Sequence, residues 1–345
     1  MKQKVVFRAD GNSSIGLGHI LRLLALAEML KAEFFISFAL QEPNDYLINL
    51  VKGSCHELIS LPEEPDFLKE AQQFSTGHLT GNEIVVLDGY SFQSEYQKMI
   101  AAHCKKLVYV DDLHSWHHYA DVIVNHAALA TAEQYDAEAQ TQFCLGLNYA
   151  LLRKEFLIPH ATKRNIPAVK KIFLSMGGAD VHNVTSKFME AIKDIDFVEE
   201  ICVLVGKVNP HFASIETAIN ENTKQNFKLR QNLSAAELCE ELNSSQLAIC
   251  PASTTALEAC ALGIGMISGY TADNQFDILE GLNRMNCILN LGDLTRIPVE
   301  QIRASIVDLN DNTDALVRMI MAQKEMIDGK SPERFLKLFH ELSHA

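Results

Sequence analysis

Residues 4–31, KVVFRADGNSSIGLGHILRLLALAEMLK, pass from a short β-branched run through a glycine-containing loop into a helical pattern. The helical part carries one apolar stripe at helical spacing, made by Leu23, Leu24, Ala27 and Leu30. A strand, a loop and a helix in this order begin a βα unit, and repeats of such units build a parallel sheet. This stretch therefore predicts an α/β fold.

The same alternation of short apolar runs and helical patterns occurs in two series along the chain. The first series predicts strands at 4–8, 34–39, 84–87, 106–110 and 122–124 and helices at 19–31 and 94–103. The second predicts strands at 171–176, 201–205, 247–250 and 266–268 and helices at 184–192, 235–244 and 255–262, with a Ser234/Glu237 capping box before the second helix. We expect two Rossmann-like parallel-sheet domains that face a cleft.

A basic, proline-containing stretch separates the two series. KEFLIPHATKRNIPAVKK, at 154–171, holds two of the nine prolines of the chain. The predicted organisation is an N-terminal domain at 1–155, a linker at 156–170, a C-terminal domain at 171–328 and a final helix at 329–345 that packs back on the N-terminal domain.

Charge and composition limit the function classes. The 345 residues include 30 basic and 44 acidic side chains, a net charge of −14, which disfavours nucleic-acid or anionic-membrane partners. No apolar run approaches the roughly 20 residues of a membrane span, and the N-terminus turns polar too soon for a signal peptide. The eight cysteines form no Cys-x-x-Cys pair, which argues against a zinc ribbon or a disulfide framework. We expect a cytoplasmic protein.

The loop after the first predicted strand contains glycines at the start of a helix. Gly16 and Gly18 let a ligand approach the backbone, and amides at a helix start favour anions. Leu21 stands where a dinucleotide fingerprint needs its third glycine, so a Rossmann cofactor site is not expected. His19 at the helix entrance either faces the cleft or simply packs against the helix.

Two loops of the second series have the residue types of phosphate sites. In LSMGGAD, at 174–180, Gly177 and Gly178 suit a turn whose amides receive phosphate, or merely a tight strand-to-helix turn. In the segment CPASTTALE, at 250–258, hydroxyl groups precede a helix and a carboxylate follows one turn later. These side chains are Ser253, Thr254, Thr255 and Glu258. Glu258 either accepts two ribose hydroxyls or complements the helix dipole.

Polar side chains also follow other predicted strands. In ADNQ, at 272–275, the amide side chains either grip a sugar or form an Asx turn. Tyr90 follows one strand of the first series, where Asp88, Asp111 and Asp112 could orient His19, bind a cation or cap helices.

Two groups of residues raise the question of a metal ion. No third ligand stands at a useful spacing from the Asp111–Asp112 pair. The histidine-rich stretch HSWHH, at 114–118, is expected in a solvated loop or at a helix start. We therefore expect no metal.

With these segments in order, the chain resembles the PseG-type UDP-sugar hydrolases of pseudaminic acid biosynthesis, whose fold is that of GT-B glycosyltransferases such as MurG. The resemblance is carried by RADGNSSIGLGHILRLLALA, LDGY, YVDDL, ADVIVNH, LGLNYALLRKEF, LSMGGAD, ADNQ and STTALE, and it covers nearly the whole chain. Pro251 ahead of the Ser/Thr run and Leu23 after Arg22 depart from the family pattern.

The resemblance implies hydrolysis of UDP-2,4-diacetamido-2,4,6-trideoxy-β-L-altropyranose to UDP and free sugar, without a cofactor. The expected partner is this small-molecule substrate, with no nucleic acid and no membrane, and the oligomeric state is left open. It implies that His19 is the general base and that Tyr90 and Asn274 hold the sugar. The residues that would bind UDP and the rest of the substrate are Gly16, Gly18, Arg22, Gly177, Gly178, Asp180, Ser253, Thr254, Thr255, Glu258 and Gln275.

Three other functions fit the same sequence features. A GT-B glycosyltransferase would use the same loops but pass the sugar to an acceptor hydroxyl. A UDP-sugar 2-epimerase would hydrolyse its own intermediate. A non-catalytic nucleotide-sugar-binding module would need no positioned base.

Overall fold

A computed structural model describes residues 2–10, 17–157, 168–222 and 224–345 of the chain. The chain divides into two compact units, one formed by Met1–Lys154 together with Lys330–Ala345 and the other by Glu155–Gly329. Gly16 and most of the predicted linker at 156–170 lie outside the described residues.

The described part of the first unit contains a seven-stranded, fully parallel sheet. Its strands are β1 (Lys4–Ala9), β2 (Phe35–Gln41), β3 (Glu57–Leu61), β4 (Ile84–Asp88), β5 (Lys106–Val110), β6 (Val122–Asn125) and β7 (Gln142–Leu145). Its first helices are α1 (Gly18–Leu30), α2 (Asp45–Lys52), α3 (Phe67–His78) and α4 (Ser94–Ala101).

The strand order of this sheet is β3-β2-β1-β4-β5-β6-β7. Strands β1 to β3 follow one another toward one side of the sheet, and strands β4 to β7 follow one another toward the other side. The direction of the strand order therefore reverses between the neighbours β1 and β4. Loops at the carboxyl ends of such a pair diverge to opposite faces and leave a crevice, which is where open α/β sheets bind ligands. α1 follows β1, and Asp88 ends β4, so both flank this switch point.

The second unit repeats this plan with a six-stranded parallel sheet among its described residues. The strands are β8 (Lys171–Ser175), β9 (Glu200–Val205), β10 (Asn226–Gln231), β11 (Leu247–Pro251), β12 (Gly265–Tyr270) and β13 (Leu289–Asp293). The helices are α5 (Val184–Ile192), α6 (Phe212–Glu221), α7 (Ala235–Ser244), α8 (Thr254–Leu262), α9 (Phe276–Arg284), α10 (Val299–Asp311) and α11 (Thr313–Met326). The order β10-β9-β8-β11-β12-β13 places its switch point between β8 and β11.

The last helix, α12 (Ser331–His344), belongs to the first unit. Its side chains Phe335 and Phe339 are fully buried in the same apolar core as Ile20 and Leu23 of α1. The Phe339 ring lies 6.0 Å from that of Phe34, in an edge-to-face arrangement. The chain therefore leaves the first unit and returns to complete its core.

The α/β fold with two parallel sheets is confirmed, and so are the helices Val184–Ile192 and Ala235–Ser244 with their predicted bounds. The sequence patterns did not predict the edge strands β3, β7, β10 and β13. β10 shows the reason, because all six of its residues are partly exposed and its sequence NFKLRQ lacks an apolar run. Within the described residues, no helix is both long and apolar enough to cross a membrane.

Gly206 provides a test of how tightly the second sheet is packed at its carboxyl edge. A Cβ at this position would lie 1.9 Å from the carbonyl oxygen of Gly178, so Gly206→Ala requires the backbone to move. We expect the free energy of unfolding, measured in urea, to fall by about 1–3 kcal/mol.

The control for that measurement is Gly53→Ala in the first unit. Gly53 has φ −73°, and a Cβ added there would have no other heavy atom within 4 Å, so an alanine fits without strain. We expect this variant to be neutral or stabilised by about 0.4–1 kcal/mol, because alanine reduces the freedom of the unfolded chain. Equal stability of the two variants would show that the Gly178–Gly206 contact is not tight.

Candidate functional site

His19 lies at the start of α1, beside the switch point of the first sheet. Its side chain is only 6% exposed. The imidazole meets the ring of Tyr90 edge-on, with the ring centroids 4.7 Å apart and the planes at 85°. Two residues predicted to act together, one after β1 and the other after β4, are therefore in contact.

The carboxylate of Asp88 determines which nitrogen of His19 carries a proton. Nδ1 of His19 lies 2.7 Å from Oδ1 of Asp88. Burial alone would raise the pKa of Asp88, but the charges and hydrogen bonds of Arg22 and His19 outweigh burial and hold this pKa below its ordinary value. Since an ionised carboxylate only accepts hydrogen bonds, Nδ1 of His19 must be the donor. In a neutral imidazole this leaves Nε2 as the proton acceptor.

Arg22, one turn after His19, holds two carboxylates in place. Its Nε donates to Oδ2 of Asp88 at 2.5 Å and its Nη2 to Oδ1 at 2.6 Å, a two-pronged ion pair. Its Nη1 donates to Oδ2 of Asp112 at 2.8 Å. Asp88 is fully buried and Arg22 is 6% exposed. In this structure the N–H groups of Arg22 donate to the two carboxylates. The predicted contact of Arg22 with substrate stays a prediction.

The cluster made by His19, Arg22, Asp88, Tyr90 and Asp112 has an excess of negative charge. Two carboxylates face one guanidinium, so the formal charge is −1 while His19 is neutral and zero once His19 is protonated. The hydroxyl of Tyr90 donates weakly to Oδ2 of Asp112 across 3.4 Å.

The neighbouring Asp111 has a different task. Its Oδ2 accepts the backbone N–H groups of Leu113 and His114 at 3.1 and 2.9 Å, which shapes the turn after β5. Burial raises the pKa of Asp111. Of the three roles considered for these aspartates, orienting the histidine falls to Asp88, whereas Asp111 shapes a turn, a role that was not among them.

His126, which the sequence patterns missed, lies directly after β6 and is 5% exposed. Its Nδ1 accepts the backbone N–H of Leu151 at 3.3 Å. Burial, and next the charge of Arg22, lower the pKa of His126 to about 4. This histidine therefore remains neutral close to the cluster. The sequence feature that could have indicated His126 is its position close after a predicted strand, at 122–124.

The histidine-rich stretch at 114–118 does not form a solvated loop throughout. His118 is fully buried, and burial lowers its pKa to about 4. His117 is clamped between Asp136 and Glu138, at 2.9 and 3.0 Å. The segment around residues 135–138 packs over this stretch, which the local pattern did not show. Among the described residues, no group of three His, Cys, Asp or Glu side chains is arranged to hold a metal ion.

In the second unit the predicted phosphate loops lie on either side of the switch point between β8 and β11. Gly177, after β8, has φ +86°, a conformation that favours glycine. The carboxylate of Asp180 accepts the N–H groups of Val184 and Thr185 at 2.8 and 2.9 Å. Asp180 thus caps α5, and its predicted contact with UDP stays a prediction.

The other predicted nucleotide residues follow β11 and β12 at the same edge of the sheet. Ser253, Thr254 and Thr255 are partly exposed at the start of α8, whereas Glu258 is 1% exposed. Asn274 is exposed in a short turn, and Oε1 of Gln275 accepts the N–H of Thr271 at 2.8 Å. The fold therefore gathers these loops on neighbouring strands, as predicted from their places after strands.

No protein-family model matches this chain. The UDP-2,4-diacetamido-2,4,6-trideoxy-β-L-altropyranose hydrolase of Campylobacter jejuni is 27% identical over 270 residues, covering 75% of this chain and 88% of that protein. The spore coat polysaccharide biosynthesis protein SpsG of Bacillus subtilis is 18% identical over 338 residues, 97% of each chain. An uncharacterized protein of Methanocaldococcus jannaschii is 25% identical over 79% of this chain, but the match spans only 56% of its length.

Solved structures share the fold at low sequence identity. MurG of Acinetobacter baumannii superposes with a TM-score of 0.67 and 12% identity, over 99% of this chain and all of that chain. The UGT2 of Phytolacca americana, solved with UDP-2-fluoroglucose, gives a TM-score of 0.66 at 12% identity, over 99% of this chain and 100% of that chain. The fold is the two-domain fold of GT-B glycosyltransferases. Of the three sequence relatives named above, the C. jejuni protein is the one whose name gives a UDP-sugar as substrate.

Arg22→Met tests whether the ion pairs hold the cluster together. The change leaves two carboxylates without their cation, and we expect a loss of about 3–5 kcal/mol in the free energy of unfolding at neutral pH. The double variant Arg22→Met/Asp88→Asn should recover part of this loss, because one unpaired charge is gone. The matched control is Arg230→Met, whose partly exposed pair with Glu241 should contribute less than about 1 kcal/mol.

The pH dependence of that loss gives a second measurement. In the wild type the lowered pKa of Asp88 stabilises the fold above the unfolded pKa, and this contribution fades as pH falls through the folded value. Without Arg22, burial dominates and should raise the pKa of Asp88. The free-energy cost of burying the ionised carboxylate then shrinks as the pH falls, because the carboxylate becomes protonated. The stability gap between wild type and Arg22→Met should therefore narrow from neutral to mildly acidic pH. A gap that widens on acidification would contradict the assigned ion pair.

Proposed function

We propose that this chain hydrolyses the C1–O bond of UDP-2,4-diacetamido-2,4,6-trideoxy-β-L-altropyranose, releasing UDP and the free diacetamido sugar with inversion at C1. One observation carries the proposal. The Nδ1 of His19 is bound to the ionised Asp88, so Nε2 is the acceptor that a general base needs. The likeness in sequence to the C. jejuni hydrolase supports the choice of substrate.

The proposed reaction is a single displacement. Nε2 of His19 takes a proton from water as the water oxygen bonds to C1, and the C1–O bond breaks with its electron pair leaving on UDP. Attack on the face opposite the leaving group inverts the anomeric centre, as in inverting glycosidases. Tyr90 packs edge-on against the imidazole and restricts its rotation.

The charge of the cluster suits the development of positive charge in this reaction. His19 becomes an imidazolium, and C1 gains oxocarbenium character, while the cluster carries a formal charge of −1 before the proton arrives. Asp88 and Asp112 stabilise the imidazolium most when bulk water is excluded. Arg22 serves as a positioning residue that holds both carboxylates in place and helps to keep the pKa of Asp88 low.

The roles of the second unit concern the leaving group. Amides of the Gly177–Gly178 turn, which follows β8, are suited to phosphate oxygens, and so are the hydroxyls of Ser253, Thr254 and Thr255 at the start of α8. UDP accepts its negative charge without needing a proton donor. We assign Asn274 to the acetamido groups of the sugar, since its exposed amide both donates and accepts hydrogen bonds.

A glycosyltransferase is the second candidate, because the structural neighbours include transferases at TM-scores of 0.66 and 0.67. The two functions differ in whether water or an acceptor hydroxyl attacks C1. Incubation with a panel of UDP-sugars, without acceptor, separates them when UDP release is followed by NMR. We expect rapid release from the diacetamido L-altrose derivative alone. No release until an acceptor is added would favour the transferase.

His19→Asn tests the general base. Asparagine cannot take a proton from water, so we expect turnover to be abolished while the affinity for UDP stays within a few-fold. His103→Asn, which alters an exposed histidine bonded to the carbonyl of Met99, is the control. Retention of more than about a tenth of the wild-type kcat, roughly a 1.4 kcal/mol effect, would contradict the assignment.

The position of bond cleavage is tested by running the reaction in ¹⁸O-labelled water. Attack at C1 places the label on the C1 hydroxyl of the released sugar, which mass spectrometry detects. Label in the phosphate of UDP would mean cleavage of the P–O bond, and the proposed displacement at C1 would be wrong.

A further inference from the structure

We propose that Lys207 is a binding residue for the diphosphate of a uridine nucleotide and that the loop Gly206–His211 is a third nucleotide-binding segment of the second unit. The inference rests on the proposed function and deepens it, since neither the motifs of the sequence nor the relatives' names point to this loop. It adds a cation to a phosphate site for which only uncharged amides and hydroxyls were predicted.

The first step is the position of the loop. β8 and β9 are neighbouring parallel strands, with Ser175 opposite Leu204. Two residues beyond this pair the chain reaches Gly177 after β8 and Gly206 after β9. The turns that follow the two strands therefore begin side by side at the carboxyl edge of the sheet. A Cβ on Gly206 would lie 1.9 Å from the carbonyl oxygen of Gly178, which means that the two backbones touch. Lys207 is the next residue and is exposed.

The second step is that the loop is held in one conformation. The backbone N–H of Asn209 donates to the carbonyl of Gly206 at 3.2 Å, and its Oδ1 accepts the N–H of His211 at 2.7 Å. Nε2 of His211 lies 3.2 Å from the carbonyl oxygen of Val181, which ties this loop to the one after β8. Asn209 is 6% exposed, and its Nδ2 has no hydrogen-bond partner among the described residues. An amide donor is therefore left for a ligand oxygen or a water.

The third step is electrostatic. The carboxylate of Asp180 caps α5 at the end of the same turn, so a diphosphate received by Gly177 and Gly178 would meet a negative charge nearby. The chain as a whole carries a charge of −14 and offers no general attraction to an anion. Lys207 supplies a positive charge on the loop whose backbone touches this turn. A lysine is suited to this task because its long stem delivers a point charge to phosphate oxygens.

The experiment measures dissociation constants of the whole chain for UDP, UMP and uridine by calorimetry. We expect Lys207→Met to weaken UDP binding at least tenfold, about 1.4 kcal/mol, to weaken UMP binding less and to leave uridine within twofold. Lys207→Arg should keep UDP within threefold, because the charge remains. The affinity of the wild type for UDP should fall more steeply with added salt than that of Lys207→Met.

The matched control is Lys224→Met. Lys224 is an exposed lysine of the same unit, paired with Asp194 at 2.9 Å, and it precedes β10 at the opposite edge of the sheet. Its removal should leave all three affinities within twofold. The assignment of Lys207 is overturned if Lys207→Met binds UDP with the same affinity as the control variant. It is also overturned if the affinity for uridine falls by as much as the affinity for UDP. If the wild type binds no UDP at millimolar concentration, the proposed function itself fails as well.

Discussion

The ion pair between Asp88 and Arg22 is the interaction on which the candidate site depends. A fully buried carboxylate is costly unless it is paired and hydrogen-bonded, and here three donors from two residues meet it. The same carboxylate fixes the tautomer of His19, and the same guanidinium holds Asp112. Burial, and next the charge of this guanidinium, lower the pKa of His126. The stability of the fold and the proposed chemistry of His19 are therefore linked through this contact.

The two sheets explain why site residues so far apart in sequence are near each other. Each sheet reverses its strand order once, between β1 and β4 in the first unit and between β8 and β11 in the second. His19 and Asp88 are 69 residues apart but follow strands that are hydrogen-bonded neighbours. The glycine turn after β8 and the hydroxyl-bearing start of α8 stand in the same relation in the second sheet.

The likeness to known proteins has two levels. The structural neighbours establish the fold at 12% identity, while one sequence relative, the C. jejuni protein at 27% identity, is named as a hydrolase of a UDP-sugar. Hydrolases and transferases of this fold differ in what attacks C1. In the proposed function the histidine oriented by Asp88 activates the attacking group, which is water in a hydrolase and an acceptor hydroxyl in a transferase.

The sequence by itself determined the strands and helices that flank both switch points, the glycine turns and the candidacy of His19 and Tyr90. These features are local, since apolar periodicity and turn chemistry act over a few residues. It left open what Asp88, Asp111 and Asp112 do, and it missed His126 and the loop at Gly206–His211. Only the tertiary structure decided these, because the order of strands in a sheet and the pairing of buried charges depend on contacts between residues distant along the chain.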